Sequence, residues 1–327
     1  MANPTIAIIG LGLTGTSFGL GLQREPGNFQ IVGHDKNPDA SAAAKKAGAI
    51  DQSTFRLHAT YEGADLVVVA VPLSELEELL GHLSEGLQPD VLLLIVSNML
   101  APAMEIAERQ LPDTVHFVVG HPIVAGVGGS LSPRADFFVN ATFCLAPSVH
   151  TDPDAVQLAS DFAERLGAKT FFVDAQEHDG MMAGLEQLPQ VIAASLMHIF
   201  ASSASWEETR RLAGRSFAQA TELGNSAEQI YAGFMANRAA LSLRIDQLQR
   251  ELQRWQTLLA AEPDDGESAH PLLTELKQVV NTREAWVIQA ELQQWDTDSG
   301  LDTLDDQPGF MRQMLMGDMF RRKTREE

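Results

Sequence analysis

The sequence predicts an α/β fold in which a doubly wound parallel sheet over residues 1–174 is followed by an all-helical domain over residues 175–327. Three observations predict it. Short Val/Ile/Leu-rich runs alternate with helical stretches from Thr5 to about Asp174. Each run is nearly continuous in apolar residues, as strands covered on both faces are. After Asp174 the β signal stops and helical periodicity takes over. A length of 327 residues suits two domains at roughly 150 residues each.

The strands, in order, are TIAIIG, FQIVGHD, ADLVVVAVP, VLLLIVS, VHFVVGHP, ATFCLAP and AKTFFVD. Their alternation with helices implies βαβ units and a parallel sheet; the last two add to an edge, in a direction the pattern leaves open. Beyond them, EHDGMMAGLEQLPQVIAASLMHIFASSAS reads as helix. The stretch from Ser226 to Glu262 reads as one long amphipathic helix, with Ile230, Phe234, Leu241, Ile245, Leu248, Leu252 and Trp255 at helical spacing. The polar stretch PDDGESAHP breaks it before a further helix from about Leu272 to Trp295. In the tail, Met311, Met314, Leu315, Met319 and Phe320 share one helical face, expected to dock on its own domain. Broad apolar stripes on long helices predict a homodimer.

Composition excludes several classes of function. With 45% hydrophobic and 20% charged residues the chain is neither disordered nor fibrous. A formal net charge of −21 repels polyanions, so neither nucleic acid nor an anionic membrane is an expected partner. No apolar run approaches the roughly 20 residues that span a bilayer. The chain enters a strand almost at once, so neither a membrane segment nor a signal peptide is expected and the protein is placed in the cytoplasm. Cys144 is the only cysteine, which excludes intrachain disulfides. The histidines are scattered without ligand spacing, so no metal site is expected.

GLGLTG, from Gly10 through Leu11, Gly12, Leu13 and Thr14 to Gly15, fits G-x-G-x-x-G. It follows a strand and opens a helix, the context of a dinucleotide fingerprint and of a Rossmann-type sheet. Gly10 permits the tight turn, Gly12 admits the pyrophosphate and Gly15 allows close helix packing. Asp35, about 20 residues further on, ends the second strand where a carboxylate accepts from the adenosine ribose. That carboxylate favours NAD over NADP, although Lys36 beside it weakens the argument. Ligands of open α/β sheets sit at the carboxyl ends of the strands, which adds Val71 and Pro72 to the cofactor site, Asn98 to the substrate site, and His121. An imidazole there can take a proton from a hydroxyl while hydride leaves the same carbon.

The glycine fingerprint, DLVVVAVP, FVVGHP followed by AG, and EHDGMMAGLEQLP resemble the prephenate and arogenate dehydrogenase family, in that order, from Thr5 to about Trp295. The resemblance implies a dinucleotide domain joined to a helical dimerisation domain. It implies NAD-dependent oxidative decarboxylation of a cyclohexadienyl hydroxy acid in tyrosine biosynthesis, with His121 taking the ring hydroxyl proton. The family's Asn-Arg pair is matched by Asn237 and Arg238.

Other family positions differ. Gln187 and Gln190 replace the two histidines of Ser-His-Leu-Pro-His, Asn98 and Leu100 replace a serine and a lysine, and Glu222 stands where an arginine would grip a carboxylate. Asn98, Gln187, Gln190, Arg215, Asn237 and Arg238 are therefore the candidate contacts to a small, anionic hydroxy-acid substrate. Two other readings fit the replaced residues. One is a dehydrogenase or reductase of another small hydroxy or imino acid; the other is an NAD-binding protein without turnover.

Overall fold

The computed structural model describes residues 3–24, 28–89, 91–124, 132–224, 226–262 and 270–292. In chain order the first half comprises β1 (Thr5–Ile9), α1 (Leu13–Leu22), β2 (Gln30–His34), α2 (Pro38–Lys46), β3 (Gln52–Ser53) and α3 (Leu57–Tyr61). It continues with β4 (Leu66–Val69), α4 (Leu73–Ser84), β5 (Leu92–Val96), α5 (Leu100–Gln110) and β6 (His116–Ile123). Then come β7 (Thr142–Pro147), α6 (Pro153–Arg165) and β8 (Lys169–Phe172). Among the described residues these strands form one sheet in the order β3-β2-β1-β4-β5-β6-β7-β8.

Every pairing from β3 to β6 is parallel. β7 runs antiparallel to β6, and β8 parallel to β7, which settles the direction left open by the sequence. The two-residue β3 was not expected: Gln52 and Ser53 are exposed and carry no apolar pattern. They pair only because Val32 and Gly33 present a free edge. The order reverses between β1 and β4, so the crevice of a doubly wound sheet opens beyond Ile9 and Val69.

Strand alternation divides the core into two layers. Ile6, Ile8, Leu66, Val68, Leu92, Leu94 and Val118 face the side covered by α1 and α6. Ala7, Ile9, Val67, Val69, Leu93, Ile95 and Val119 face the side covered by α4 and α5. Both sets are buried, which is why each strand reads as a continuous apolar run. At the centre of the first layer Phe18 is fully buried, with the ring of Phe138 stacked at 4.5 Å and that of Phe162 edge-on at 5.3 Å.

The helical part begins at α7 (Ala175–Met182), started by Asp174, whose side chain accepts from the N–H groups of Gln176 and Glu177. A π-helical turn over Ala183–Gln187 joins it to α8 (Leu188–Ala201). Then follow α9 (Trp206–Thr209), α10 (Arg215–Ala220), α11 (Ala227–Ala236) and α12 (Arg238–Ala260). The single long helix expected from Ser226 is thus two. Asn237, at φ −121° and ψ 25°, interrupts it, because its side-chain amide is drawn onto the Asp179 carbonyl and Gln187 Oε1, at 2.8 and 3.0 Å.

All these elements belong to one compact unit, Met1–Leu272; α13 (Pro271–Leu292) lies almost wholly in a second, which starts at Leu273. Leu273, Leu276, Val279, Val280 and Trp286 of α13 are exposed. The expected end of that helix at Trp295, most of PDDGESAHP and the Met-rich tail face lie outside the described residues. No described helix is long and apolar enough to cross a membrane.

The packing around Phe18 generates a stability prediction. Phe18→Ala removes the ring that Phe138 and Phe162 enclose, and is expected to cost about 3–5 kcal/mol, read as a lower midpoint in denaturant unfolding.

Candidate active site

The three loop glycines are required for different reasons. Gly10 has φ +94°, and a Cβ there would stand 2.3 Å from the Ala70 carbonyl oxygen. A Cβ on Gly15 would fall 1.9 Å from the Gly10 oxygen. At Gly12 a Cβ would meet nothing within 4 Å, so the fold tolerates a side chain there and only a ligand excludes one.

Gly12 borders a cleft of about 400 Å³ whose lining includes Gly10, Asp35, Val71, Pro72, Glu75 and Glu78. No side chain caps α1, and its first turn holds no acid, so its N-terminal N–H groups are available to an anion. Thr14 is half-buried in that turn. Leu11 is buried and Leu13 packs against the core, and neither they nor Thr14 line the cleft. The Leu11 N–H is already donated to Asp35 Oδ2 at 2.7 Å, and Asp35 Oδ1 accepts from Asn37 N at 2.8 Å. Lys36 donates to Glu75 at 2.6 Å. The nearby cation is therefore neutralised, and the cleft presents net acid where NADP would bring its extra phosphate.

His121 lies two residues before the end of β6, on the face of Val119 and opposite Cys144 of β7. Its Nδ1 lies 3.1 Å from His178 Nε2. His178 Nδ1 lies 2.8 Å from Asp179 Oδ1. Asp179 in turn receives the first N–H groups of α5, Leu100 N on Oδ1 at 2.8 Å and Ala101 N on Oδ2 at 3.0 Å. A carboxylate only accepts, so His178 donates from Nδ1; in the tautomer whose Nε2 then accepts, His121 donates from Nδ1 and keeps its own lone pair on Nε2. Burial first, and then the neighbouring His178, push the His121 pKa down to about 3. The ring is a neutral imidazole over the physiological range, ready to accept a proton. Sequence reasoning singled out His121 and missed His178 and Asp179; the adjacent His-Asp pair was the available signal.

A second cleft, of about 310 Å³, shares Pro72 with the first and is lined by Asn98, Glu186, Gln187, Gln190 and Gln229 among others. Asn98 is exposed, and its Nδ2 donates to Glu186 Oε1 at 3.4 Å. Gln187 is 4% exposed; its amide donates to the Gly233 carbonyl at 3.0 Å and accepts from Asn237. Two of the six groups expected to touch substrate, Gln187 and Asn237, thus have their amides committed to joining the π turn, α7 and α11. Arg215 and Arg238 were also expected there. Both are exposed first residues of their helices, α10 and α12, and neither lines this cleft. Leu100, at a position where the family has a lysine, is fully buried, and Glu222 is exposed.

The family model for "Prephenate dehydrogenase, nucleotide-binding domain" matches residues 18–172, and that for "Prephenate dehydrogenase, dimerization domain" matches residues 174–278. The chain belongs to the prephenate dehydrogenase family. It is an NAD-dependent oxidoreductase. The first match starts beyond the glycine loop, so the loop's role rests on its geometry. Among relatives, the prephenate dehydrogenase of Bacillus subtilis is 26% identical over 268 residues, 81% of this chain and 72% of that one. The cyclohexadienyl dehydrogenase of Zymomonas mobilis is 26% identical over 80% of this chain and 90% of its own length. The structure of A. aeolicus prephenate dehydrogenase, in complex with hydroxyphenyl propionate and NAD+, shares the fold with a TM-score of 0.77 at 21% identity. It covers 87% of this chain and 99% of its own.

Two predictions follow from the site geometry. Gly12→Ala should keep the wild-type unfolding temperature yet weaken NAD binding about tenfold or more, whereas Gly15→Ala should lower the unfolding temperature itself; calorimetric titration and thermal denaturation distinguish them. Because His121 stays neutral down to about 3, kcat/KM should show no acid limb from it near pH 6.5, the usual imidazole value. A pH–rate profile with a limb at 6.5 that vanishes in His121→Asn would contradict this assignment.

Proposed function

We propose that this protein oxidatively decarboxylates a cyclohexadienyl hydroxy acid of the prephenate and arogenate type, with residues 1–174 binding NAD and residues 175–327 completing the substrate site and the dimer. The observation that carries the reading is the hydrogen-bonded series from Asp179 through His178 to His121. It can leave a lone pair on His121 Nε2 near the carboxyl end of β6. Gly10, Gly12 and the start of α1 would hold the pyrophosphate of NAD, and Asp35 the adenosine ribose. Bound NAD supplies a hydride acceptor.

His121 takes the proton of the ring hydroxyl as the carbon beneath it becomes a carbonyl. Positioning and proton acceptance are the main demands, since loss of carbon dioxide yields an aromatic ring. Gln190 and Asn98 supply amide N–H groups that can orient a carboxylate in the second cleft. An expected homodimer is supported by the apolar residues that the helical region leaves exposed, among them Leu185, Ile199, Leu212, Tyr231 and Leu259.

The test is NADH absorbance with NAD and prephenate or arogenate. Turnover is expected with at least one of them, and His121→Asn should lower kcat by about 10²–10⁴-fold while calorimetry shows NAD binding unchanged. Protein that binds NAD but oxidises neither compound would overturn the reading.

A further inference from the structure

Resting on that reading, we infer that the second cleft selects a substrate whose side chain carries an ammonium group, with Glu186 as the specificity-determining carboxylate. Among the described residues lining this cleft, Glu186 is the only ionisable one. The other polar groups, Ser74, Asn98, Gln187, Gln190 and Gln229, are all neutral.

Glu186 stands on the π turn, which points the next residue, Gln187, into the interior and leaves the carboxylate at the cleft wall. Its one hydrogen-bond partner among the described residues is the amide of Asn98, at 3.4 Å, and no lysine or arginine neutralises it there. Burial raises its pKa, and the Asn98 amide and the nearby His178 offset that only in part, the mark of a carboxylate short of water.

A cationic ligand group would relieve that deficit, and a second anion would aggravate it. Prephenate carries two carboxylates and a keto group on its side chain, so it brings only negative charge to this wall. Arogenate carries an ammonium where prephenate has the keto group. With that ammonium on Glu186, the adjoining side-chain carboxylate lies within the ring of amides, whose N–H groups can receive it. The chain's net charge of −21 favours the less anionic ligand in the same sense.

The test uses the reaction products as probes: L-tyrosine, which keeps the ammonium, and 4-hydroxyphenylpyruvate, which lacks it. Each is titrated calorimetrically into NADH-saturated protein. Tyrosine is expected to bind about tenfold or more tightly than the keto acid, as a charge-assisted hydrogen bond implies. Glu186→Gln should abolish the difference, and Glu186→Asp should retain part of it.

Equal or tighter binding of the keto acid by the wild type, or a preference that survives Glu186→Gln, overturns the inference. Initial rates separate it from the reading on which it rests. Oxidation of prephenate and arogenate with equal kcat/KM leaves the reaction standing and removes the selectivity. A tyrosine preference without oxidation of either substrate removes the reaction and leaves the role of Glu186 standing.

Discussion

The carboxylate of Asp179 is the constraint on which the site depends. It closes the N-terminus of α5, where backbone N–H groups otherwise lack partners, and it receives the proton of His178. One side chain therefore ties the helical region to the sheet and fixes the tautomers of two imidazoles in series. The chemical polarity of His121 follows from a helix cap, and a change in how α7 meets α5 would be felt at the base before it was felt by the core.

Around that constraint two helical irregularities meet. The π turn at Ala183–Gln187 and the interruption at Asn237 are joined by Gln187 and Asn237, whose amides bond each other and add a second donor to the Gly233 and Asp179 carbonyls. Both amides are neutral at every accessible pH, so this junction holds its geometry while Glu186 beside it is the ionisable group of the cleft. Rigid neutral framing and a few charged groups give the cleft shape and selectivity from different residues.

The sheet was legible because strands buried on both faces demand unbroken apolar runs, and the glycine loop because strand, glycines, helix and Asp35 occur in one short span. The direction of β7 was not legible, since an apolar run carries no arrow, and neither was β3, which exists only as an edge partner of β2. The interruption at Asn237 escaped notice because apolar spacing continues through it from Ile230 to Trp255. His121 stood out by its place at a strand end. His178 lies 57 residues from it in sequence, and Asp179 lies 79 from Leu100; the adjacent His-Asp pair marks itself, but not the distant residues it contacts. Gln187 and Arg238 were expected against substrate from correspondence and Arg215 as a substitute cation, and their burial or exposure depends on packing that neither argument carries.

The bond from the Leu11 N–H to Asp35 has a consequence for redesign of cofactor choice. The acid proposed to meet the ribose is also a brace of the glycine loop. Exchanging it for a small neutral residue, the usual first step toward accepting a 2′-phosphate, releases a backbone donor inside the turn that must hold the pyrophosphate. Nucleotide preference in this chain is thus bound to loop stiffness, and shifting it requires a second substitution that supplies Leu11 with another acceptor.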